Sequence, residues 1–238
     1  MKKCIINQPF GIGDILFSEP IAQYYIDKGY EVIWPVEDSY FWIKDYMPWI
    51  HFVPRTSYRI DYEISKFTTI NGAEYIPLRF ANPIFRGLEP HDYSDLKNCM
   101  VDKYRLLGLP EDLWRKLKWI RNKEKEDSLF NKLNLEGKRY NLRNINFGAS
   151  GSKINIIIGN DLENVDMTFI EGYSMLDWAK VIEEAENIYT VSTSNLYMIE
   201  TLNIKAKELH LYPRVPVEKD LVAVESFISK KWKLHGIN

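Results

Sequence analysis

Asp14 stands beside two glycines in the run Asn7-Gln8-Pro9-Phe10-Gly11-Ile12-Gly13-Asp14. Two glycines on such a turn let the backbone come close to a ligand, which puts the carboxylate beside a candidate binding site. In the other half of the chain, Ser192, Thr193, Ser194 and Asn195 form a cluster of hydroxyl and amide side chains, and Lys153 ends the small-residue run Phe147-Gly148-Ala149-Ser150-Gly151-Ser152. Hydroxyls at the start of a helix with a nearby lysine suit an anion. Each group also has a plainer role open to it. Asp14 can cap a helix, one of residues 192–195 can be an N-cap, and Lys153 can be a solvated surface cation.

The elements that would hold these groups can be read around them. Cys4, Ile5 and Ile6 form a short apolar strand ahead of the glycines, and Ile15, Leu16, Ile21, Ala22 and Tyr25 recur on one face of a following helix. A second strand follows Gly29 over Val32 to Val36, so Asp14 is expected at the carboxyl edge of a parallel sheet, where open α/β folds bind ligands. The spacing is not that of the dinucleotide fingerprint, because its third glycine would fall at Leu16. Further on, a helical stretch is expected at Tyr40 to Tyr46 and a strand at His51 to Pro54. Two runs joined by Asn71-Gly72 (Arg59 to Thr69 and Ala73 to Phe80) predict a hairpin. Helices are expected over Asp92 to Leu107 and from Glu111, and the charged stretch Arg121 to Asp127 reads as a solvated face. Strands over Tyr140 to Phe147, Ile154 to Ile158 and Val165 to Ile170 are followed by alternating elements: helix Met175 to Glu186, strand Ile188 to Val191, helix Asn195 to Leu202, strand Glu208 to Tyr212. A last helix is expected over Glu218 to Lys233.

The pattern G-x-G-D-x-L-x-x-x-P, met by Gly11, Gly13, Asp14, Leu16 and Pro20, resembles the N-terminal half of bacterial lipopolysaccharide heptosyltransferases and related GT-B glycosyltransferases. In the second half the Phe147 to Lys153 loop is similar to the lysine loop of that family. The segment Ser174 to Leu202 is similar to its later motif, with Leu176, Ile182, Ala185, Val191, Thr193 and Leu202 in register. Ser192 and Ser194 stand where the family has aspartate and glycine, and Tyr197 where it has histidine. The run between Lys153 and Val165 is too short for the family's helix, so a reduced donor domain is expected.

The resemblance implies an α/β protein of two Rossmann-like domains facing across a cleft: residues 1–135 on the acceptor side, residues 136–217 binding the nucleotide sugar, and a closing helix at 218–238 packing back on the first domain. It implies an inverting, metal-independent glycosyltransferase that moves a sugar from a nucleotide-sugar donor to a glycan or glycolipid hydroxyl, with Asp14 as general base. Gly11, Gly13, Ser150, Ser152, Lys153, Ser192, Thr193, Ser194 and Asn195 would serve the donor. Arg79, Arg86 and His91, in the region after the hairpin, would serve an acidic or phosphorylated acceptor. No cofactor is implied beyond the nucleotide sugar as co-substrate. A non-catalytic nucleotide- or glycan-binding protein of the same fold is the second reading, and a Rossmann-like oxidoreductase the third.

Composition narrows the classes. The 238 residues, 45% hydrophobic and 14% aromatic, can build a substantial core in one or two domains. A net charge of −2 with both signs interspersed speaks against nucleic acid. Two cysteines, Cys4 and Cys99, without metal spacing suit a reducing compartment, and a cytoplasmic protein is expected. Met1-Lys2-Lys3 leads into a strand rather than a signal sequence, and no apolar run spans a membrane, which leaves peripheral membrane contact open. Zinc-hydrolase, α/β-hydrolase and P-loop motifs are missing, and Asp161-Leu162-Glu163 is a poor approach to the D-x-D of metal-dependent transferases. Trp34, Tyr40, Trp42, Tyr46 and Trp49 can stack on sugars, but such spacing more often builds core.

Overall fold

The computed structural model describes residues 1–81, 100–147, 151–214, 224 and 228–236. Contacts divide the chain into two compact units, Met1–Ile120 and Arg121–Asn238. The division falls ahead of the boundary expected between residues 135 and 136 because helix Lys123–Lys132 belongs with the second unit. Its Asp127 pairs with Lys180, and Arg121 bridges Glu126 and Glu183. The charged stretch is therefore not merely solvated. Glu126 is 1% exposed, and Arg121 holds it in a buried pair.

In the first unit, β1 (Lys2–Ile6), β2 (Tyr30–Val36) and β3 (His51–Pro54) are parallel, and β4 (Thr68–Ile70) with β5 (Ala73–Ile76) form an antiparallel hairpin. Asn71 and Gly72 have φ of 50° and 78°, the primed turn that matches strand twist, so the hairpin forms where Asn-Gly predicts it. Its strands are shorter than expected, since residues 59–67 pair with no strand. Sheet order is β3-β2-β1-β5-β4, with β1 parallel to β5. The chain leaves β1 toward β2 and returns to its other side at β5. The crevice at the carboxyl ends of β1 and β5 is thus a topological switch point.

Helix α1 (Ile12–Asp27) follows β1. Ile15 to Ala22 are all buried, so α1 is not the one-sided amphipathic helix its spacing suggested. Short 3₁₀ segments over Asp38–Asp45 and Glu111–Lys116 and the short helix α2 (Asp102–Arg105) complete the unit. The Phe17 ring is stacked on Trp114 and meets Tyr104 edge-on, which covers a second side of α1. Trp34 and Tyr46 are core residues.

The second unit starts with helix α3 (Lys123–Lys132) and carries β6 (Tyr140–Asn144), β9 (Glu163–Asp166), β10 (Asn187–Val191), β11 (Glu208–Tyr212) and β12 (Trp232–Leu234) in one parallel sheet. Its order is β12-β11-β10-β6-β9, which places a switch point between β6 and β10. Between β6 and β9 lies a small antiparallel hairpin, β7 (Asn146–Phe147) with β8 (Ser152–Lys153). Residues 154–162 then hold no helix, as the short spacing predicted, and Ile154 to Ile158 form no strand. Helices α4 (Ala179–Glu184), extending a 3₁₀ turn at Met175–Trp178, and α5 (Asn195–Thr201) make the later connections.

Register partners in a parallel sheet share a face. One face therefore carries Leu142, Val165, Ile188, Leu209 and Trp232, the other Arg143, Asp166, Tyr189, His210 and Lys233. On that polar face Asn187 donates to Asn141, which donates to Asn160 and Asn164. Arg143 clasps Asp166 and reaches the Ile156 carbonyl in the helix-free connection. The closing helix expected over Glu218 to Lys233 falls largely outside the described residues. Its end is different from that expectation, since Trp232 and Lys233 lie in β12, paired with β11. Glu200 of α5 accepts from Ser229, Lys230 and Trp232 and anchors that last strand.

Candidate functional site

The switch point of the first unit collects polar groups from three elements. Chain leaving β1 supplies Asn7 and Gln8, both buried. The Asn7 N–H donates to the Ile76 carbonyl, and the Asn7 carbonyl accepts from the Arg79 N–H, so Arg79 is fixed at the end of β5 beside β1. Asn7 donates its side-chain amide to the Tyr62 carbonyl, while its Oδ1 is buried with no donor. Gln8 donates to the Phe10 carbonyl, and its own carbonyl accepts from Trp34 Nε1.

Gly11 then adopts φ 74° and ψ 103°, a conformation other residues reach only under strain. A Cβ at Gly11 would lie 2.6 Å from Asp14 Oδ2. Both features require glycine here. Gly13 lies in the first turn of α1 and has no positive φ.

Asp14, on that same turn, has a partner that no local pattern announced. Lys103 of α2, 3% exposed, places Nζ 2.9 Å from Asp14 Oδ1 and 2.6 Å from Gln8 Oε1. Asp14 keeps 35% of its side-chain surface exposed. Capping therefore does not account for it, because its Oδ1 goes to an ammonium 89 residues away in the chain. The signal that could have found Lys103 is weak. A lysine beside Val101 and Tyr104 in an apolar helix pattern hints at burial, but not at its partner.

Arg79 gives its guanidinium to Glu63 at 2.8 Å and lies over the rings of Phe10 and Phe80. Arg55, after β3, pairs with Glu37 and lies between the rings of Phe10 and Tyr62. A shallow cavity of about 620 Å³ is lined by Arg55, Tyr58, Arg59, Asp61 and Tyr62 among others. Arg86 and His91 lie outside the described residues.

A separate buried acid sits further along α1. Glu19 is fully buried, accepts from Trp49 Nε1 at 3.0 Å and from the Lys118 N–H at 3.3 Å, and burial pushes its carboxyl up to about 7.

In the second unit, β10 delivers the hydroxyl cluster to the switch point beside β6. Ser192 is 2% exposed and Asn195 7%, and Asn195 turns its amide inward to Met167 Sδ. Thr193 and Ser194 are half-buried, and no side-chain capping bond is made at Ser194, the N-cap position of α5. With seven residues, α5 is too short for its dipole to contribute much, so any anion binding here must come from hydroxyls and N–H groups. Lys153 is exposed on β8, and Ser152 is half-buried beside it. Ser150 lies outside the described residues. Among the described residues, no group of three or more His, Cys, Asp or Glu side chains could hold a metal ion, and no helix is long and apolar enough to cross a membrane.

One mostly parallel and one parallel sheet, each with ligand-type groups at its switch point, define an α/β protein of the doubly wound class. No family model matches the chain, and no curated protein does. Solved structures similar to it include heptosyltransferases. The bacterial iron-containing dodecameric glycosyltransferase TibC from enterotoxigenic E. coli H10407 is 13% identical with a TM-score of 0.49, over 92% of this chain and 60% of that one. The same values hold for the dodecameric heptosyltransferase TibC in complex with ADP-D-β-D-heptose. E. coli heptosyltransferase WaaC with ADP-2-deoxy-2-fluoro heptose is 12% identical with a TM-score of 0.41, over 96% of this chain and 99% of that one. The chain thus spans about 60% of the length of TibC. At such identities and TM-scores these likenesses decide nothing about activity, and the fold class stands on the two sheets themselves.

Proposed function

We propose that the protein is a glycosyltransferase that moves a sugar from a nucleotide-sugar donor to a glycan or glycolipid hydroxyl, with inversion and without a metal ion. The observation that carries this reading is Asp14. It is a partly exposed carboxylate at a switch point, held by a buried lysine beside a glycine whose positive φ strains any other residue. Such a group is fitted to take the proton of an acceptor hydroxyl as it attacks the anomeric carbon, while the C–O bond to the nucleoside diphosphate breaks and the diphosphate departs with the electron pair. Thr193 and Ser194 with Lys153 would bind that diphosphate and stabilise its growing charge. The buried Ser192 and Asn195 would shape the loop rather than touch the donor. Arg79 would steer an acceptor beside Asp14, and Arg86 and His91 remain part of the same proposal.

A second reading draws on a specific observation. The β6–β9 connection has no helix, and two residues of the hydroxyl cluster are spent inside the unit, which also suits a nucleotide- or glycan-binding protein without turnover.

A thermal-shift screen against UDP-, GDP-, ADP-, CMP- and dTDP-sugars, with ADP-heptose among them, should identify a donor. With a donor and acceptor in hand, Asp14→Asn should keep donor binding and lower turnover by about 10²–10⁴-fold. Near wild-type transfer by the variant would place the base elsewhere, and donor binding without any transfer would favour the second reading.

A further inference from the structure

We infer that Lys103 is the positioning residue of Asp14, an inference that rests on the glycosyltransferase reading only for its catalytic consequence. The geometry is a clamp. Lys103 Nζ holds Asp14 Oδ1 at 2.9 Å and Gln8 Oε1 at 2.6 Å, and Gln8 is itself tied to the Phe10 carbonyl and to Trp34. The ammonium therefore links the chain leaving β1 to the first turn of α1 and fixes the loop between them at both ends.

Helix α2 brings the lysine to this point. Tyr104, its neighbour, donates its hydroxyl to the Phe17 carbonyl and packs its ring on Phe17, so α2 is pinned to α1 one turn beyond Asp14. Lys103 is 3% exposed, and a buried ammonium that lost its carboxylate would be strongly destabilised. Rotation of Asp14 away from Lys103 is opposed for that reason. On the other side of the carboxylate, Oδ2 lies 2.6 Å from where a Gly11 Cβ would be. Oδ1 is bound to the protein, Oδ2 lies against the glycine turn, and the side chain keeps 35% of its surface exposed. A merely structural lysine would neutralise charge. This one also decides which oxygen faces a ligand and at what angle.

The test reads the side-chain torsion of Asp14 directly, by three-bond couplings to Cγ in the isotopically labelled full chain without ligand. Wild type should show one rotamer, and Lys103→Met an average over rotamers. Averaging in wild type overturns the inference without any variant, so a Lys103→Met chain that fails to fold does not shelter it. A single unchanged rotamer in folded Lys103→Met overturns it as well. Where a donor and acceptor pair turns over, Lys103→Met should lower kcat by about 10–100-fold with KM near wild type, the scale expected of a misplaced reacting group. It should lower it no further in an Asp14→Asn background. An equal loss in both backgrounds means that Lys103 does not act through Asp14. If no sugar nucleotide is turned over by any form, the glycosyltransferase reading fails, while the rotamer measurement still decides the positioning role.

Discussion

The two switch points are built to different standards. At the first, the groups near Asp14 are tied to one another and to the backbone: Lys103 to Gln8, Gln8 to Phe10 and Trp34, Asn7 to Ile76 and Arg79. At the second, Lys153 stands exposed on a two-residue strand, and the hydroxyl loop opens a helix of only seven residues. Pre-organisation is worth most where a reacting atom must be placed within a fraction of an ångström, and least where a diffuse charge is to be neutralised. The contrast fits a chain whose proton chemistry is in the first unit and whose anion binding is in the second.

Gly11→Ala attacks the rigid side of this contrast and should have the largest effect. The new Cβ meets Asp14 Oδ2 at 2.6 Å in a backbone conformation that costs alanine about 1–3 kcal/mol. Turnover should drop by roughly 100-fold or more with donor binding intact. A fully active Gly11→Ala enzyme would mean that the turn is not pre-organised around Asp14.

Lys153→Ala and Ser194→Ala probe the looser side. Each should weaken donor binding by about 10- to 150-fold, the value of a charge-assisted hydrogen bond of roughly 1.5–3 kcal/mol, with the melting temperature unchanged. Calorimetric titrations indistinguishable from wild type for both would remove the diphosphate site from the second unit.

The units should also answer pH in opposite directions. Glu19 keeps its proton up to about pH 7 in the folded chain, whereas its ordinary value is 4.5. Its contribution to stability is therefore fully present below 4.5 and is lost as pH rises toward 7, by about 3 kcal/mol at most. Glu19→Gln should make the first unit more stable than wild type at pH 8 and little different at pH 4. Urea denaturation followed by the amide signals of residues 1–120 would show it, and equal curves at pH 8 would refute it.

The smallest effect is expected from His235. Its ring lies 2.8 Å from His210 by Nε2···Nδ1 and stacks on Tyr212, and burial, then the charges of His210 and Lys233, hold it below its ordinary 6.5. Glu208, bonded to His210 on its other nitrogen, and the Tyr189 ring complete the surroundings. Stability from this group is present above 6.5 and falls as pH drops below it. Amide exchange at His235, whose N–H bonds to the Leu211 carbonyl, should speed up at pH 5.5 beyond the intrinsic pH effect, and His235→Gln should flatten the response. No change between variant and wild type would break the contrast in sign.

How much of this was legible follows the range of each interaction. Asn71-Gly72 specifies its own turn and His51 to Pro54 its own strand, so local chemistry suffices for both. Glu208 to Tyr212 is equally plain. The helix expected over Glu218 to Lys233 gives way at its end to the second sheet's closing strand, whose anchor, Glu200, lies 32 residues from Trp232. Asp14 was visible as a candidate, but the cation that holds it comes from another part of the chain. The inward turn of Asn195 toward Met167 was hidden for the same reason.

The eight consecutive buried residues of α1, Ile15 to Ala22, bear on time as well as on space. Amides in such a segment are expected to exchange through large openings of the unit rather than through local fraying. Asp14 is mounted one residue ahead of that segment. The backbone that carries Asp14 is thus expected to open only with that segment, while the carboxylate itself is held by Lys103.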